Sequence, residues 1–138
     1  MTGPVTYLLD TNAVSDLMRA KARTEKWLSS IAESDRVVTC TIVRGEILFG
    51  IARLADSRRR ADIEEKARHL FDAITCESVP ARAADFYAAV KLARQRRGLT
   101  LDENDLWVAA TALAMNATLV SRDSDFTGID GLSVLALL

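Results

Sequence analysis

The chain has 138 residues, of which 49% are apolar and 27% are charged, and its formal net charge is −1. This length excludes two domains and allows one substantial core, and the near-neutral charge excludes the basic composition that by itself indicates nucleic-acid binding. Because no apolar run is long enough to span a membrane and the N-terminus lacks a signal-peptide pattern, we expect one cytoplasmic domain over residues 1–138.

Four β-rich runs alternate with helical segments, a pattern typical of an α/β fold. In chain order we predict a strand at 5–9, helices at 13–19 and 24–31, a strand at 36–40, helices at 42–51 and 59–73, a strand at 74–79, helices at 81–97 and 102–115, a strand at 117–121 and an edge strand at 132–135. Such alternation favours a mostly parallel central sheet with helices on both faces. Ligands of these sheets collect at the carboxyl ends of the strands, so polar residues there are site candidates.

Four carboxylates lie at the ends of predicted strands or near the starts of helices: Asp10, Glu46, Asp105 and Asp123. Asp10 follows the first strand directly, and Asp123 follows the fourth after one intervening residue. Glu46 lies about one and a half turns into the helix after strand two, and Asp105 lies in the first turn of the helix before strand four. Acids in one pocket raise each other's pKa unless a cation neutralises them, so this placement predicts a divalent-metal site.

Asp10 and Glu46 differ in how easily another explanation accounts for them. Asp10 precedes a helix in a polar triplet, so a role as a helix cap explains it equally well. Glu46 is the only acid between Asp35 and Asp56 and lies in an apolar helix, where burial of an unpaired carboxylate is unfavourable. Exposure on a narrow solvated stripe is the alternative explanation for Glu46.

The remaining acids lie in polar segments. Asp102 and Asp105 belong to an acidic first turn that the helix dipole favours, although Asp105 is the acid nearest to the apolar body of the helix. Asp102 lies three residues earlier, where it can share a face with Asp105 as a reserve ligand. Asp123 and Asp125 lie in a loop where turn formation alone accounts for acids. Each of these acids alone is weak evidence for a site, and the placement of the four carboxylates together is stronger evidence.

Four segments resemble the motifs of PIN-domain nucleases, close to the toxins of VapC and FitB type. These segments are YLLDTNAVSDLMR at 7–19, RGEILFGI at 44–51, NDLWVAATA at 104–112 and TLVSRDSDF at 118–126. The resemblance implies that Asp10, Glu46 and Asp105 are the first three acids of the site. It implies Asp123 as the fourth acid, with Asp125 as its alternative because the last motif varies in length. Residues beside these acids would be supporting polar groups, namely Thr11, Asn12 and Ser121.

The resemblance also implies an activity and partners. It implies a metal-dependent endoribonuclease that is the toxin of a type II toxin–antitoxin pair. It further implies a homodimer, with a small cognate antitoxin that blocks the acidic groove in a heterotetramer or a larger assembly. The apolar stretch at 47–54 is a candidate for part of the dimer interface.

The residue types favour Mg²⁺, with Mn²⁺ as the other choice, because oxygen ligands select hard ions over zinc. Neither Cys40 nor Cys76 has the spacing of a zinc site, and we expect both to be free thiols. His69 lies in a charged helix, and we assign it no catalytic role. In this interpretation Asp10, Glu46 and Asp105 hold one ion, while Asp123 helps to hold a second or orients the attacking water.

Arginines near the acids are candidates for binding RNA phosphates, which gives largely sequence-neutral affinity. We select Arg44 and Arg122. The cluster at 94–97 is a weaker candidate, because a solvated helix end explains it better. We expect Trp107 to pack in the core rather than to stack on a base.

Two other classes of protein are alternatives to an active nuclease. The first is a catalytically inactive PIN-like protein that only binds a protein partner or RNA, against which the presence of all four acids argues. The second is another acidic-pocket α/β protein. A phosphatase of the haloacid-dehalogenase type needs a second aspartate where this chain has Asn12, and a receiver domain needs a late lysine, whereas the last one here is Lys91.

Overall fold

The computed structural model describes residues 3–137, so residues 1, 2 and 138 of the predicted domain lie outside it. Its elements are β1 (Thr6–Leu9), α1 (Thr11–Met18), α2 (Ala22–Ser29), β2 (Arg36–Cys40), α3 (Thr41–Ala52), α4 (Arg58–Ala73), β3 (Thr75–Glu77), α5 (Ala83–Arg96), α6 (Glu103–Met115), β4 (Thr118–Val120) and β5 (Val134–Leu135). A single 3₁₀ turn, which the sequence did not predict, lies at Ser124–Phe126. Within this range no helix combines the length and the apolar character needed to cross a membrane.

The strands form one five-stranded sheet in the order β3-β2-β1-β4-β5, and all four pairings are parallel. The prediction of a parallel α/β sheet flanked by helices is therefore confirmed. The chain runs outward from β1 through β2 and β3, then returns to the other side of β1 to add β4 and β5. This reversal of direction beside β1 opens a crevice at the carboxyl ends of β1 and β4, which is where parallel sheets bind ligands.

The core lies on both faces of β1, β2 and β4. Leu8, Leu9, Val38 and Leu119 are fully buried or nearly so, as is expected for strands covered on both faces. Helix α6 is rich in alanine and packs closely against α5, where Trp107 stacks on Tyr87 with a ring separation of 4.2 Å. This packing fixes α6, the helix that carries Asp105, beside α5.

Polar caps determine where the helices of the site begin. The Ala13 N–H donates to Oδ1 of Asp10 at 2.8 Å, which starts α1 at Thr11, with only Asp10 between this helix and β1. The Asn104 N–H donates to Oδ2 of Asp102 at 3.1 Å, which starts α6 at Glu103. As a result, two acids predicted for the site lie where a strand or loop turns into a helix.

Candidate active site

Asp10 lies at the switch point of the sheet and is only 5% exposed. Its N–H donates to the carbonyl of Val120 at 3.1 Å, so the end of β1 is tied to the end of β4. Burial raises the pKa of Asp10, and the Asp123 charge raises it further, whereas hydrogen bonds from Ser121 and Ala13 lower it. Asp10 is therefore both the cap of α1 and a buried carboxylate, and the two explanations offered by the sequence do not exclude each other.

Ser121 connects two of the acids. It is buried directly after β4, it lowers the pKa of the Asp10 carboxyl, and its Oγ accepts a bond of 3.0 Å from the Asp123 N–H. The hydroxyl thus fixes the backbone of the last motif beside the end of β1. Ser121, which the sequence predicts as a supporting group, therefore lies beside Asp10 and Asp123.

Glu46 turns towards the same edge. The Thr11 hydroxyl donates to Oε1 of Glu46 at 2.9 Å, which links α3 to the first residue of α1. Glu46 is half-buried and does not lie on a solvated stripe. Asn12, the other predicted supporting residue, is half-buried in the first turn of α1.

Asp105 shows most clearly that the acids converge. Its pKa is raised to about 6, first by burial and then by the negative charges of four neighbours. In decreasing order of effect these neighbours are Asp102, Glu46, Asp123 and Asp10. The structure therefore brings all four predicted acids into one electrostatic environment, with Asp102 beside them.

The carboxylates share this environment without closing on one point. Within residues 3–137, no three Asp, Glu, His or Cys side chains lie close enough to ligate a single ion in their present positions. The donor set consists of carboxylates, with hydroxyls nearby, which fits Mg²⁺ or Mn²⁺ better than zinc.

Asp123, rather than Asp125, lies with the other acids. The Asp123 charge raises the pKa of both Asp10 and Asp105, and its Oδ1 accepts a 2.9 Å bond from the Asp125 N–H. Asp125 is exposed on the 3₁₀ turn. Asp102 is exposed and its Oδ2 caps α6, and its charge raises the pKa of Asp105 more than the charge of any other acid does, so it lies beside the site as the predicted reserve ligand requires.

The two predicted RNA-binding arginines lie in different surroundings. Nε of Arg122 donates to Oδ2 of Asp16 at 3.1 Å, and the Arg122 charge lowers the pKa of Asp10. Asp16 was not predicted as a site residue, although an acid between Val14 and Leu17 on a helix next to a buried strand needs a partner when it is buried, as it is here. Arg44 lies over the ring of Phe71 at 5.1 Å, in a groove between α3 and α4, and not beside the acids.

Other predictions about single residues have clear outcomes. Arg94 is only 8% exposed, so the solvated helix end predicted for 94–97 is wrong for this residue. The chain after α5 folds back, since the Leu99 N–H donates to the Arg94 carbonyl at 2.9 Å, and this covers the Arg94 side chain. His69 is largely exposed and lies beside Glu65, not beside the acids of the candidate site. Cys40 and Cys76 are both free thiols, as predicted.

A parallel α/β sheet with converging acids at its switch point defines a class of acidic-site α/β domains. The chain belongs to the PIN domain family, whose model matches residues 7–132. It is 25% identical over 118 residues to Ribonuclease VapC2 of Rickettsia felis, covering 85% of this chain and 86% of the relative. It is 24% identical over 139 residues to Ribonuclease VapC5 of Mycobacterium tuberculosis, covering 99% and 97%.

Solved structures show the same fold. One is the crystal structure of VapBC2 from Rickettsia felis bound to a promoter DNA fragment. It matches this chain with a TM-score of 0.87 at 22% identity, over 96% of this chain and 98% of that chain. VapBC-5 from Mycobacterium tuberculosis, a member of a family of toxin–antitoxin systems, matches with a TM-score of 0.74 at 22% identity, over 96% and 99%. The resemblance recognised in the sequence is thus confirmed.

Proposed function

We propose that this protein is a Mg²⁺- or Mn²⁺-dependent endoribonuclease and the toxin of a type II toxin–antitoxin pair, acting in the cytoplasm. The observation that carries the proposal is the placement of Asp10, Glu46, Asp105 and Asp123 around the carboxyl ends of β1 and β4, where burial and acidic neighbours also raise the pKa of Asp105 to about 6. Carboxylates placed in this way repel one another, and a bound divalent cation would reduce this repulsion. The ribonuclease names of relatives and the toxin–antitoxin family of a structural neighbour support the choice of substrate and role.

The residues divide into carboxylates that would hold the cation and groups that orient those carboxylates. Asp10, Glu46 and Asp105 would hold one ion, and Asp123 would share a second or orient the attacking water. A bound divalent cation supplies charge relief at the phosphate and lowers the pKa of water. Thr11 orients the Glu46 carboxylate through its hydrogen bond, and Ser121 holds the backbone of Asp123 by accepting its N–H. Hydrolysis adds this water across one P–O bond of the RNA backbone.

Partners belong to the same proposal. We propose a small antitoxin that covers the acidic edge, in line with the toxin–antitoxin family of the structural neighbour. We also propose a homodimer, which is supported by an apolar surface on α3 where Leu48 is 45% and Phe49 67% exposed. Exposed apolar side chains next to each other on one helix favour burial against another chain. The oligomeric state of Phe49→Asp, measured by light scattering, tests the dimer.

The test of the activity is cleavage of single-stranded RNA with Mg²⁺, with Mn²⁺ and with EDTA. We expect cleavage only with the divalent ions, and its loss in Asp10→Asn. Cleavage that survives EDTA, or that Asp10→Asn retains, contradicts the proposal. A second test is expression in the native host, which should slow growth, with rescue by the product of the neighbouring gene.

A further inference from the structure

A groove of about 400 Å³ runs between α1, α3 and α4 and begins at the acidic edge. Thr11 and Glu46, joined by their hydrogen bond, line it at that edge. Four basic side chains also line it: Arg19, Arg53, Arg59 and Lys66. Arg59, Ile63 and Lys66 occupy one face of α4 at helical spacing, so this face of the helix forms one wall of the groove.

These four cations have no acidic partner, unlike several basic residues close to them in the chain or near the site. Arg60, next to Arg59, pairs with Glu64 at 2.8 Å, and Arg122 pairs with Asp16 at 3.1 Å. For Arg19, Arg53, Arg59 and Lys66, by contrast, no carboxylate of the described chain lies within 4.0 Å. All four are exposed. Their charge is therefore available to an anion from outside the protein.

The balance of charge in the groove is opposite to that of the whole chain. The chain carries a net charge of −1, yet the groove is lined by four cations and a single acid, Glu46. Unpaired cations that line a groove concentrate a positive potential there, which attracts polyanions. A row of cations that ends at a hydrolytic site favours a polymer of phosphates over a single small anion.

We propose that this groove, which we call the basic groove, holds the sugar-phosphate backbone of single-stranded RNA next to Glu46. The inference rests on the proposed function and adds where the substrate lies. Phosphates held by Arg59 and Lys66 would place the strand in the same groove that Thr11 and Glu46 line. The two arginines selected from the sequence are not part of this groove: Arg44 lies over the ring of Phe71, and Arg122 donates to Asp16.

Arg58 and Arg59 provide a matched pair for the experiment. They are adjacent at the start of α4 and both exposed, but Arg59 lines the basic groove and Arg58 does not. Binding of a fluorescent single-stranded RNA is measured by anisotropy, in an Asp10→Asn background so that the RNA stays intact. We expect Arg59→Ala to weaken binding roughly fivefold at 0.1 M salt, and Arg58→Ala to leave it unchanged.

The salt dependence provides a second measurement. Each phosphate contact on a single strand contributes about −0.7 to the slope of log K against log salt, so Arg59→Ala and Lys66→Ala should each flatten it by about that amount. Equal weakening by Arg58→Ala and Arg59→Ala would instead indicate a diffuse charge effect and overturn the proposal.

Two glycines of α3 allow the opposite change of charge. A Cβ added at Gly50 or at Gly45 meets no atom within 4 Å, so both positions accept a side chain. Gly50 lines the basic groove and Gly45 does not. We expect Gly50→Glu to weaken RNA binding at least as much as Arg59→Ala, while Gly45→Glu has a much smaller effect. Circular dichroism and thermal unfolding of each variant verify that the fold is intact.

The outcomes separate this proposal from the proposed function. If RNA binding depends on the basic groove but no metal-dependent cleavage occurs in the unmodified protein, the function fails and the groove proposal stands. If cleavage occurs but the groove variants bind RNA normally, the groove proposal alone is wrong. It is also wrong if these variants keep RNA binding and lose binding to a poly-glutamate peptide, since the groove would then be a site for acidic protein segments.

Discussion

The Thr11 hydroxyl donates a 2.9 Å hydrogen bond to Oε1 of Glu46, across 35 positions of the sequence. Thr11 follows Asp10 and opens α1, so this bond ties the carboxylate on α3 to the segment that carries the buried acid. A carboxylate that is held by a neighbouring group keeps its orientation, whereas a free one rotates towards water. Thr11 is therefore a positioning residue for Glu46.

Replacement of Thr11 tests this role. Thr11→Val keeps the branched shape and removes the donor, while Thr11→Ser keeps the donor. Loss of a bond worth about 1 kcal/mol should slow RNA cleavage roughly fivefold in Thr11→Val and raise the Mg²⁺ concentration needed for half-maximal rate. Thr11→Ser should retain both values. Equal rates in Thr11→Val and wild type, or equal losses in both variants, would rule out the positioning role.

Replacement by Asn should have very different effects on RNA cleavage at Asp123 and at Asp125. Asp123→Asn keeps an oxygen that can accept the Asp125 N–H, so the 3₁₀ turn is preserved while the charge near Asp10 is removed. We expect about a hundredfold loss of cleavage, the upper range for changes around a metal site. Asp125→Asn removes an exposed carboxylate and should keep nearly full activity. The reverse ranking in initial rates would make Asp125 the fourth acid.

The predicted elements and acids follow from local patterns. The run Arg36–Cys40 has the predicted bounds of β2, because its β-branched residues are framed by Asp35 and by the start of α3. Asp10 lies at the switch point because a buried strand ends there and a helix begins one residue later. Position at the end of such a strand is enough to locate an acid in a parallel α/β sheet.

Neighbours far apart in the chain could not be predicted from these patterns. Arg44 and Glu46 are two residues apart on α3, and the helical period shows that they diverge, but only the packing of α4 and α1 shows which groove each enters. The pair of Asp16 and Arg122 joins residues 106 positions apart. Arg59 was one of three consecutive arginines in the sequence, and the fold alone separates it from Arg58 and Arg60.

Asp105 should make folding stability depend on pH in the absence of divalent ions. Its pKa is raised from 3.8 to about 6 in the folded protein. The folded state therefore holds this proton more tightly than the unfolded state, and the contribution of Asp105 to the free energy of unfolding falls as pH rises through this window. We expect Asp105→Asn to be more stable than wild type above about pH 6, and the difference to disappear below about pH 4.

The measurement is urea unfolding in EDTA at a series of pH values. The quantity compared is the difference in free energy of unfolding between Asp105→Asn and wild type, which cancels titrations common to both proteins. Asp125→Asn serves as the control for removal of an exposed carboxylate. A difference that stays constant from pH 4 to pH 7, or a less stable Asp105→Asn at pH 7, would contradict the repulsion between these acids.

Divalent cations should offset the same repulsion. A ligand that binds only the folded state raises the free energy of unfolding by RT ln(1 + [L]/Kd), about 2.7 kcal/mol at a concentration of 100 Kd. We expect Mg²⁺ to raise Tm at pH 7.5, and to raise it less at pH 5, where Asp105 is largely protonated given its pKa of about 6. Glu46→Gln and Asp105→Asn should lose most of this increase, whereas Asp125→Asn should keep it. KCl at matched ionic strength separates ion binding from general screening, and an equal rise with KCl would show that the acids hold no specific cation.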